Sequence, residues 1–367
     1  MIFTSIKRIL LIAFICFSAL VHAQQVDNPY QGNVMVGSFD EAQLKQQALQ
    51  QVLVKVSGNT DIVNLADSKL LVKKTQALIL QYGYRNIAQN KYFFAVFDKN
   101  KINHALKEMQ QPIWGGTRPI TLIWLIHNNK IVSDNLIKEQ MDPSIRDAIQ
   151  KAELQRGIRM QFPLMDLDDS LAISISDIKG NFYGPVGTVS ARYQRAHFVL
   201  AELQSMGGEQ WKLSWQLIKR SATSRQTHVL LSEQFLGDQS SVSTKMINAL
   251  ADYYASQYAI LDNQGQKFSQ VVHINGIDSL AELVKLHAMF NSLLAVSSYH
   301  ISAVQGAQMT IEVKLNGSLT SFKNTLIAQP DLQLDTRQPP VVEKSALSDS
   351  SLTADALSDT ALYFIWR

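Results

Sequence analysis

"HFVLAELQSMGGEQWKLSWQLI", His197 to Ile218, holds the most regular pattern in the chain. Two strand-like runs are joined by a Gly-containing connection, which predicts a β-hairpin. In the second run Trp211, Leu213, Trp215 and Leu217 alternate with Lys212, Ser214 and Gln216. A period of two predicts one buried face and one face in water. "THVLLSEQF" adds a third strand, and "SSVSTKMINALADYYASQYAIL" follows as a long helix. Upstream, "ITLIWLIH" from Ile120 is an almost continuous apolar run, as expected of a strand covered on both faces. Asp142 and Pro143 suit the cap and first turn of a helix through Ile145, Ala148, Ile149 and Leu154 to Gly157. "IRMQFPLM" reads as a strand, and short helical segments follow around "DDSLAISISDI" and "PVGTVSARYQ". The order β-α-β-α-β-β-β-α predicts a sheet with helices packed on it.

The flanks read as two smaller units. "PIWGGTRP", Pro112 to Pro119, places two glycines between prolines and cannot continue a helix, so it marks a boundary. Before it, "NVMVGS" is a strand candidate and "SFDE", Ser38 to Glu41, fits a capping box. A helix with Leu44, Ala48, Leu49, Val52 and Val56 on one stripe stops near Gly58. A second helical pattern takes in Leu70, Leu71, Ala77, Leu78 and Leu80 and ends at "YGYR"; "KYFFAVFD" is a strand and "KNKINHALKEMQQ" a helix. After the central unit, strand, helix, strand, strand and helix succeed one another from Val271 to Ala328, the order of a ferredoxin-like half-sandwich. The expected fold class is α/β (α+β): three small units of helices packed on mixed or antiparallel sheets, with a flexible linker before a C-terminal strand. The expected division is a signal peptide at 1–23, an N-terminal α/β unit at 24–115, a middle sheet-and-helix domain at 116–264, a ferredoxin-like unit at 265–335, a linker at 336–360 and a docking strand at 361–367.

The start of the chain, "MIFTSIKRILLIAFICFSALVHAQQ", has a positive pair, Lys7 and Arg8, an apolar core from Ile9 to Leu20, and compact residues before Gln24. That is the pattern of a cleavable signal peptide, and it places the expected location in the periplasm. Cys16 lies inside the apolar core behind the bulky Phe14 and Ile15, so it reads as filler rather than a lipidation site. It is the only cysteine. Beyond it, disulfides, thiol redox chemistry and Cys-ligated zinc are excluded. The full chain has 34 basic and 31 acidic side chains; without Lys7 and Arg8 the balance is 32 − 31 = +1. With no run of Lys/Arg interleaved with aromatics, nucleic acid is not an expected partner. No second apolar stretch is long enough to span a membrane after cleavage.

The seven histidines after the leader, at 104, 127, 197, 228, 273, 287 and 300, show no pair at helical i, i+4 spacing. No zinc motif is formed, and His273 and His287 read as packed side chains. A single S-x-x-K, Ser176 to Lys179, lacks the partner motifs of serine acyl transferases. "GPVG" at Gly184 to Gly187 lacks the third glycine and the lysine of a phosphate loop. In "RGIRMQFPLMDLDD", Asp166, Asp168 and Asp169 crowd together. A calcium loop would need a glycine where Leu171 stands and a bidentate Glu where Asp177 stands. A helix start accounts for the run: Asp168 or Asp169 caps a helix from Ser170, and Asp166 ends the preceding strand. No catalytic, metal-binding or cofactor-binding residues are assigned.

"ALQQVLVKVSGN", "WGGTRPITLIWL", "RGIRMQFPLMDLDD", "SARYQRAHFVLAEL" and "WKLSWQL", in this order, resemble an uncharacterised family of exported proteobacterial proteins, domain-of-unknown-function family twenty sixty-six. The middle unit is also similar, in element order only, to the amino-terminal domain of TolB and to the middle domain of flagellar T-ring proteins. The resemblance carries no activity and no catalytic residues; it implies an assembly or binding module of a Gram-negative cell envelope, with an envelope protein as partner. The candidate contact surface is Arg118, Asp166, Asp168, Asp169, Arg192 and Tyr193, with the arginines otherwise expected to pair with a nearby acid, Asp166 or Asp169 included. The expected function is a non-enzymatic periplasmic binding or adaptor protein. The alternatives are an envelope-polymer hydrolase using an Asp pair, and a carrier of a small apolar ligand.

"ALYFIWR", Ala361 to Arg367, follows a polar stretch with little to bury. Period two puts Leu362, Phe364 and Trp366 on one face, so the segment is expected to dock as a strand on an exposed sheet edge of the third unit, or on a partner's sheet.

Overall fold

The computed structural model describes residues 28–87, 90–116, 118–134, 143–220, 227–261, 269–335 and 361–367. The leader at 1–23, the linker at 336–360 and the cap at Asp142 lie outside the described residues. The fold is mixed α/β, with helices on three sheets.

The first sheet has the order β1 (Gln31–Met35), β3 (Asn90–Phe97), β2 (Ile79–Ile87), all antiparallel. It packs on α1 (Glu41–Ser57), which buries Leu44, Ala48, Leu49, Val52 and Val56 as its spacing requires. The cap of α1 falls two residues later than expected: Asp40, not Ser38, accepts from the Gln43 N–H, and Gln43 completes the capping box. The region after α2 (Ala66–Lys73) departs further. A 3₁₀ turn at Thr75–Leu78 ends the helical run, and "YGYR" lies inside β2 rather than at a helix end. Leu80, Tyr82 and Tyr84 are exposed, and the two tyrosines lie on the α1 side of the sheet against Phe93 of the neighbouring strand, with ring centroids 5.9 and 5.5 Å apart. Cross-strand aromatic pairing decides the conformation there, a partner that a local reading of the run does not contain. A third helix, α3 (Lys99–Glu108), closes this unit by burying Ile102 and Leu106.

The middle sheet runs β5 (Lys130–Ile131), β4 (Ile120–His127), β7 (His197–Gly207), β8 (Gln210–Arg220), β9 (Thr227–Gly237), with β6 (Arg159–Gln161) also pairing β4. The β4–β7 and β4–β6 pairs are parallel; the hairpins β7–β8 and β8–β9 are antiparallel. One face packs on α4 (Pro143–Arg156) and α8 (Gln239–Tyr258) through Trp215, Leu217, Val242, Leu250 and Tyr254. The other carries α5 (Leu167–Ala172), α6 (Ile175–Lys179) and α7 (Tyr183–Ser190) over Leu122, Trp124, Phe198 and Ile218. The expected wet face of β8 is therefore corrected. Lys212, Ser214 and Gln216 are half-buried, and Gln216 accepts from the Tyr183 hydroxyl at 2.6 Å.

The third sheet runs β11 (Val296–Gln305), β12 (Gln308–Leu315), β10 (Ser269–Asn275), β14 (Leu362–Trp366), β13 (Leu332–Leu334). Its helices, α9 (Leu280–Ser292) and α10 (Leu319–Ile327), share one core with Val272, Ile274, Ile311 and Val313. The chain end, β14, pairs in parallel with β10 and antiparallel with β13, so it lies inside the sheet and not on its outer edge. On α9, Leu280 and Val284 face water at 76% and 60% exposure, and His287, expected to be packed, is exposed beside the Tyr299 hydroxyl, 2.7 Å away. The face bearing Leu286, Met289 and Phe290 turns inward instead, because it presents the larger apolar surface to the sheet. His273 packs against Tyr363 with stacked rings 4.7 Å apart.

Candidate functional site: an acid–arginine clasp and a cationic seam

The acid run is positioned by a left-handed residue, Met165 (φ 53°), which turns the chain out of β6 and into α5. Asp166 is the N-cap, accepting from the Asp169 N–H at 3.1 Å. This corrects the expectation that Asp168 or Asp169 caps a helix at Ser170: the helix begins at Leu167, and Asp169 already lies within it. Arg192 comes from the 3₁₀ turn Ala191–Tyr193 after α7. Its guanidinium forks onto both carboxylate oxygens of Asp166 at 2.6 and 2.7 Å and donates to Asp169 Oδ1 at 2.8 Å. Asp169 is fully buried. Its Oδ2 accepts from the Met165 N–H at 3.0 Å and from the Tyr193 hydroxyl. That hydroxyl in turn accepts from the Leu164 N–H at 2.8 Å. Asp168 stays outside, its side chain 84% exposed and 4.0 Å from Arg192.

The electrostatics follow from this geometry. Arg192, and after it the Asp169 N–H, holds the Asp166 carboxyl down to about 2. Burial, and then the Asp169 carboxylate, push the Tyr193 phenol well above its usual range. A guanidinium occupies the space between the two nearest carboxylates, where a cation ligand set would need an opening. Among the described residues no group of three His, Cys, Asp or Glu side chains is placed to hold a metal ion. The Tyr193 ring meets Trp124 edge-on at 6.2 Å, and the Trp124 Nε1 donates to Ser190 Oγ at 2.9 Å, so the clasp is continuous with the core.

Arg118 is not part of this cluster. It lies where the first and middle units meet, stacked on Trp114 at 4.0 Å. It donates to the carbonyls of Lys55 (2.7 Å), Trp114 (3.1 Å), Gly115, Arg156 and Gly157 (3.2 Å each). Its expected pairing with Asp166 or Asp169 is replaced by these carbonyls, because α1 and α4 both end here and leave acceptors unsatisfied. Two further cations that the sequence reading did not single out share the seam. Arg156, 2% exposed, reaches the Gly58 carbonyl at 3.0 Å and Asp252 at 2.6 Å. Lys55, 4% exposed, reaches the Gln31 carbonyl at 2.5 Å. Cations in the last turn of a helix also oppose its negative end. Gly157 (φ +65°) closes the arrangement: a Cβ there would come within 2.9 Å of Lys55 Cδ and 3.1 Å of Arg118 Nη1.

Of the scattered histidines, His197 is the most enclosed. It opens β7 against the Tyr254 ring, 5.6 Å away, and opposite Lys219. Burial, with Lys219 second, pushes its pKa down to about 4. A folded pKa below the unfolded value near 6.5 means that the unfolded chain takes up the proton first on acidification. Its contribution is therefore complete above about 6.5 and is lost as pH falls toward about 4. The expected outcome is that His197→Phe flattens the fall in urea midpoint across that window; an unchanged slope would show that His197 does not set it.

A family model described as a domain of unknown function (DUF8605) matches residues 23–115, a span that includes the first sheet and α1 to α3. No curated protein matches the chain. No helix among the described residues is long and apolar enough to cross a membrane.

Proposed function

We propose that the chain is a non-enzymatic binding or adaptor protein of the Gram-negative cell envelope, exported to the periplasm, and that it belongs with the uncharacterised exported proteobacterial family twenty sixty-six. The observation that carries this reading is the engagement of Asp166 and Asp169 by Arg192. The acids best spaced for chemistry instead fasten one loop to another. A hydrolytic Asp pair is less favoured, because Arg192 forks onto both carboxylate oxygens of Asp166 and also donates to Asp169. A carrier of apolar ligands is not favoured either, since Trp215, Leu217, Leu250 and Tyr254 fill the space between the middle sheet and α4 and α8 at no more than 2% exposure. The leader-like start and the single cysteine within it support export. The element order shared with TolB and the flagellar T-ring proteins supports an assembly role as fold analogy.

The test has two parts. Expressed in a Gram-negative host, the chain is expected in the periplasmic fraction with its amino terminus at Gln24. Cross-linking of that fraction is expected to yield a defined complex with one envelope protein. Retention in the cytoplasm with residues 1–23 attached, or a monomer alone after cross-linking, would overturn the reading.

A further inference from the structure

The face of the middle sheet that carries α5 to α7 changes character along its strands. Under the helices it is apolar, with Trp124, Phe198, Leu200 and Ile218 in the core. Further along, the same face turns polar: Glu202, Ser214 and Gln234 stand side by side on β7, β8 and β9. Two cavities, of about 170 and 410 Å³, open where the change occurs, along the end of α6. Both are lined by Lys179 and Glu202, so they meet at that pair and form one trough. It follows β7 from Leu200 to Ser205, about 17 Å at the rise of a strand. Its two facing ions cancel, with Lys179 Nζ 2.9 Å from Glu202 Oε1. Glu233 also borders it but stands opposite Trp215, whose side chain packs on the other face of the sheet. Part of the polar lining is engaged internally: Gln216 accepts from the Tyr183 hydroxyl and donates to Ser232 Oγ at 3.3 Å. The side chains of Asn181, Ser214 and Gln234 make no hydrogen bond among the described residues. Asn181 is set in the wall by a left-handed backbone, φ 55°, in the turn between α6 and α7. Phe182, next in the chain, lies with its ring against Gly180 and is 54% exposed, an open aromatic surface next to these groups.

We propose that this trough binds a neutral carbohydrate, a short oligosaccharide, with Asn181, Ser214 and Gln234 as its hydrogen-bonding contacts. Amides and hydroxyls both donate and accept, which matches the mixed donor and acceptor character of sugar hydroxyls. A charged ligand would give up its hydration with no opposite charge left over to meet it, because Lys179 and Glu202 already neutralise one another. A few placed polar groups beside an aromatic surface is the composition of small-molecule sites in general. The length of the trough favours a chain of sugars over a single ring. An extended peptide is the less fitting occupant. Peptides join a sheet through the backbone ladder of an edge strand, and this trough crosses β7 and β8, which are each paired on both sides. The inference goes beyond the adaptor reading and stands without it.

The experiment follows amide chemical shifts of the purified full chain during titration with the tetramer of N-acetylglucosamine and, separately, with maltotetraose. Saturable shifts at Asn181, Ser214 and Gln234 are expected with at least one of them, at a Kd in the millimolar range or tighter. The Kd is expected to be the same at low and moderate salt, since the site has no net charge to screen. Which saccharide binds shows whether the N-acetyl amide is read. Gln234→Ala and Asn181→Gly, the second of which keeps the left-handed backbone, are each expected to weaken binding about three- to tenfold. Both residues are exposed, so their replacement does not endanger folding. Gln305→Ala, at an exposed position of the third sheet, is expected to leave binding unchanged. Absence of binding by both saccharides overturns the proposal, as does unaltered binding by both trough variants or equal weakening by Gln305→Ala. Shifts of the same residues with an alanine tetrapeptide, and with neither saccharide, overturn it in favour of a peptide groove.

Discussion

Shortening Phe364 to alanine is expected to lower the unfolding free energy of the third unit by about 3–5 kcal/mol. Phe364 is 1% exposed, and its neighbours on the same face, Leu362 and Trp366, are each 7% exposed. The three share a core with Val272, Ile274, Phe290 and Phe322, so the last residues of the chain complete a core that the preceding residues leave open. The loss combines the transfer of a buried ring with the cavity left behind, since strands on both sides prevent collapse. Removal of residues 361–367 is expected to go further and abolish cooperative unfolding of β10 to β13. The alternating face supplies the control: Tyr363 and Ile365 are half-buried, and Ile365→Ala is expected to cost clearly less than Phe364→Ala. Urea denaturation and amide exchange on the three variants check this. A Phe364→Ala midpoint equal to that of the original chain would show that the strand does not hold the unit.

Where a pattern was long and its partners local, the residues spoke clearly. The hairpin from His197 to Arg220 is present, with a register shift between Ser205 and Gly207, and β4 is buried on both faces as its apolar run implies. The stripe of α1 ends at Gly58 in the left-handed conformation. The chain end reads as a strand because apolar alternation follows a stretch with nothing to bury, yet its place inside the third sheet depends on β13, a strand of three residues with little signal. The segment Thr75 to Ile87 misleads because its exposed aromatics, Tyr82 and Tyr84, are held by Phe93 across the sheet, outside any local window. Of the six candidate contact residues, Asp166, Asp169, Arg192 and Tyr193 come together, Asp168 stays exposed at their rim, and Arg118 lies elsewhere. A signal for the seam was present. Lys55 follows Val52 at i+3, and Arg156 continues Ile145, Ile149 and Ala152 at helical spacing, so each places a cation on a buried stripe in the last turn of its helix. A charge in that position has to find acceptors, and helix ends provide them.

Asp169→Ala is expected to cost about 3–5 kcal/mol, although its neighbour Asp168 can be replaced by alanine within about 0.5 kcal/mol. The two differ by one position and by everything around them. Asp168 is exposed, while Asp169 is fully buried and receives Arg192, the Tyr193 hydroxyl and the Met165 N–H. Truncation leaves the half-buried Met165 N–H without its acceptor and takes from Arg192 one of its two close carboxylates. Asp169→Asn keeps the shape and one acceptor but removes the charge, and it is expected to fall between the two. Asp166 adds a pH arm. Its folded pKa lies below that of an unfolded aspartate, so its contribution is complete above about 4 and is lost as pH falls toward about 2. Arg192→Gln should therefore flatten the acid limb of the stability curve below pH 4 while leaving the His197 window between about 6.5 and 4 in place. Thermal unfolding across pH separates the two windows. Near-equal melting of the Asp168→Ala and Asp169→Ala chains would mean that the run is a solvated acidic patch. A wide gap, with the pH limb moved by Arg192→Gln, means that Asp166 and Asp169 serve to fix the loop between β6 and α5 onto the turn before β7, and that Asp168 does not.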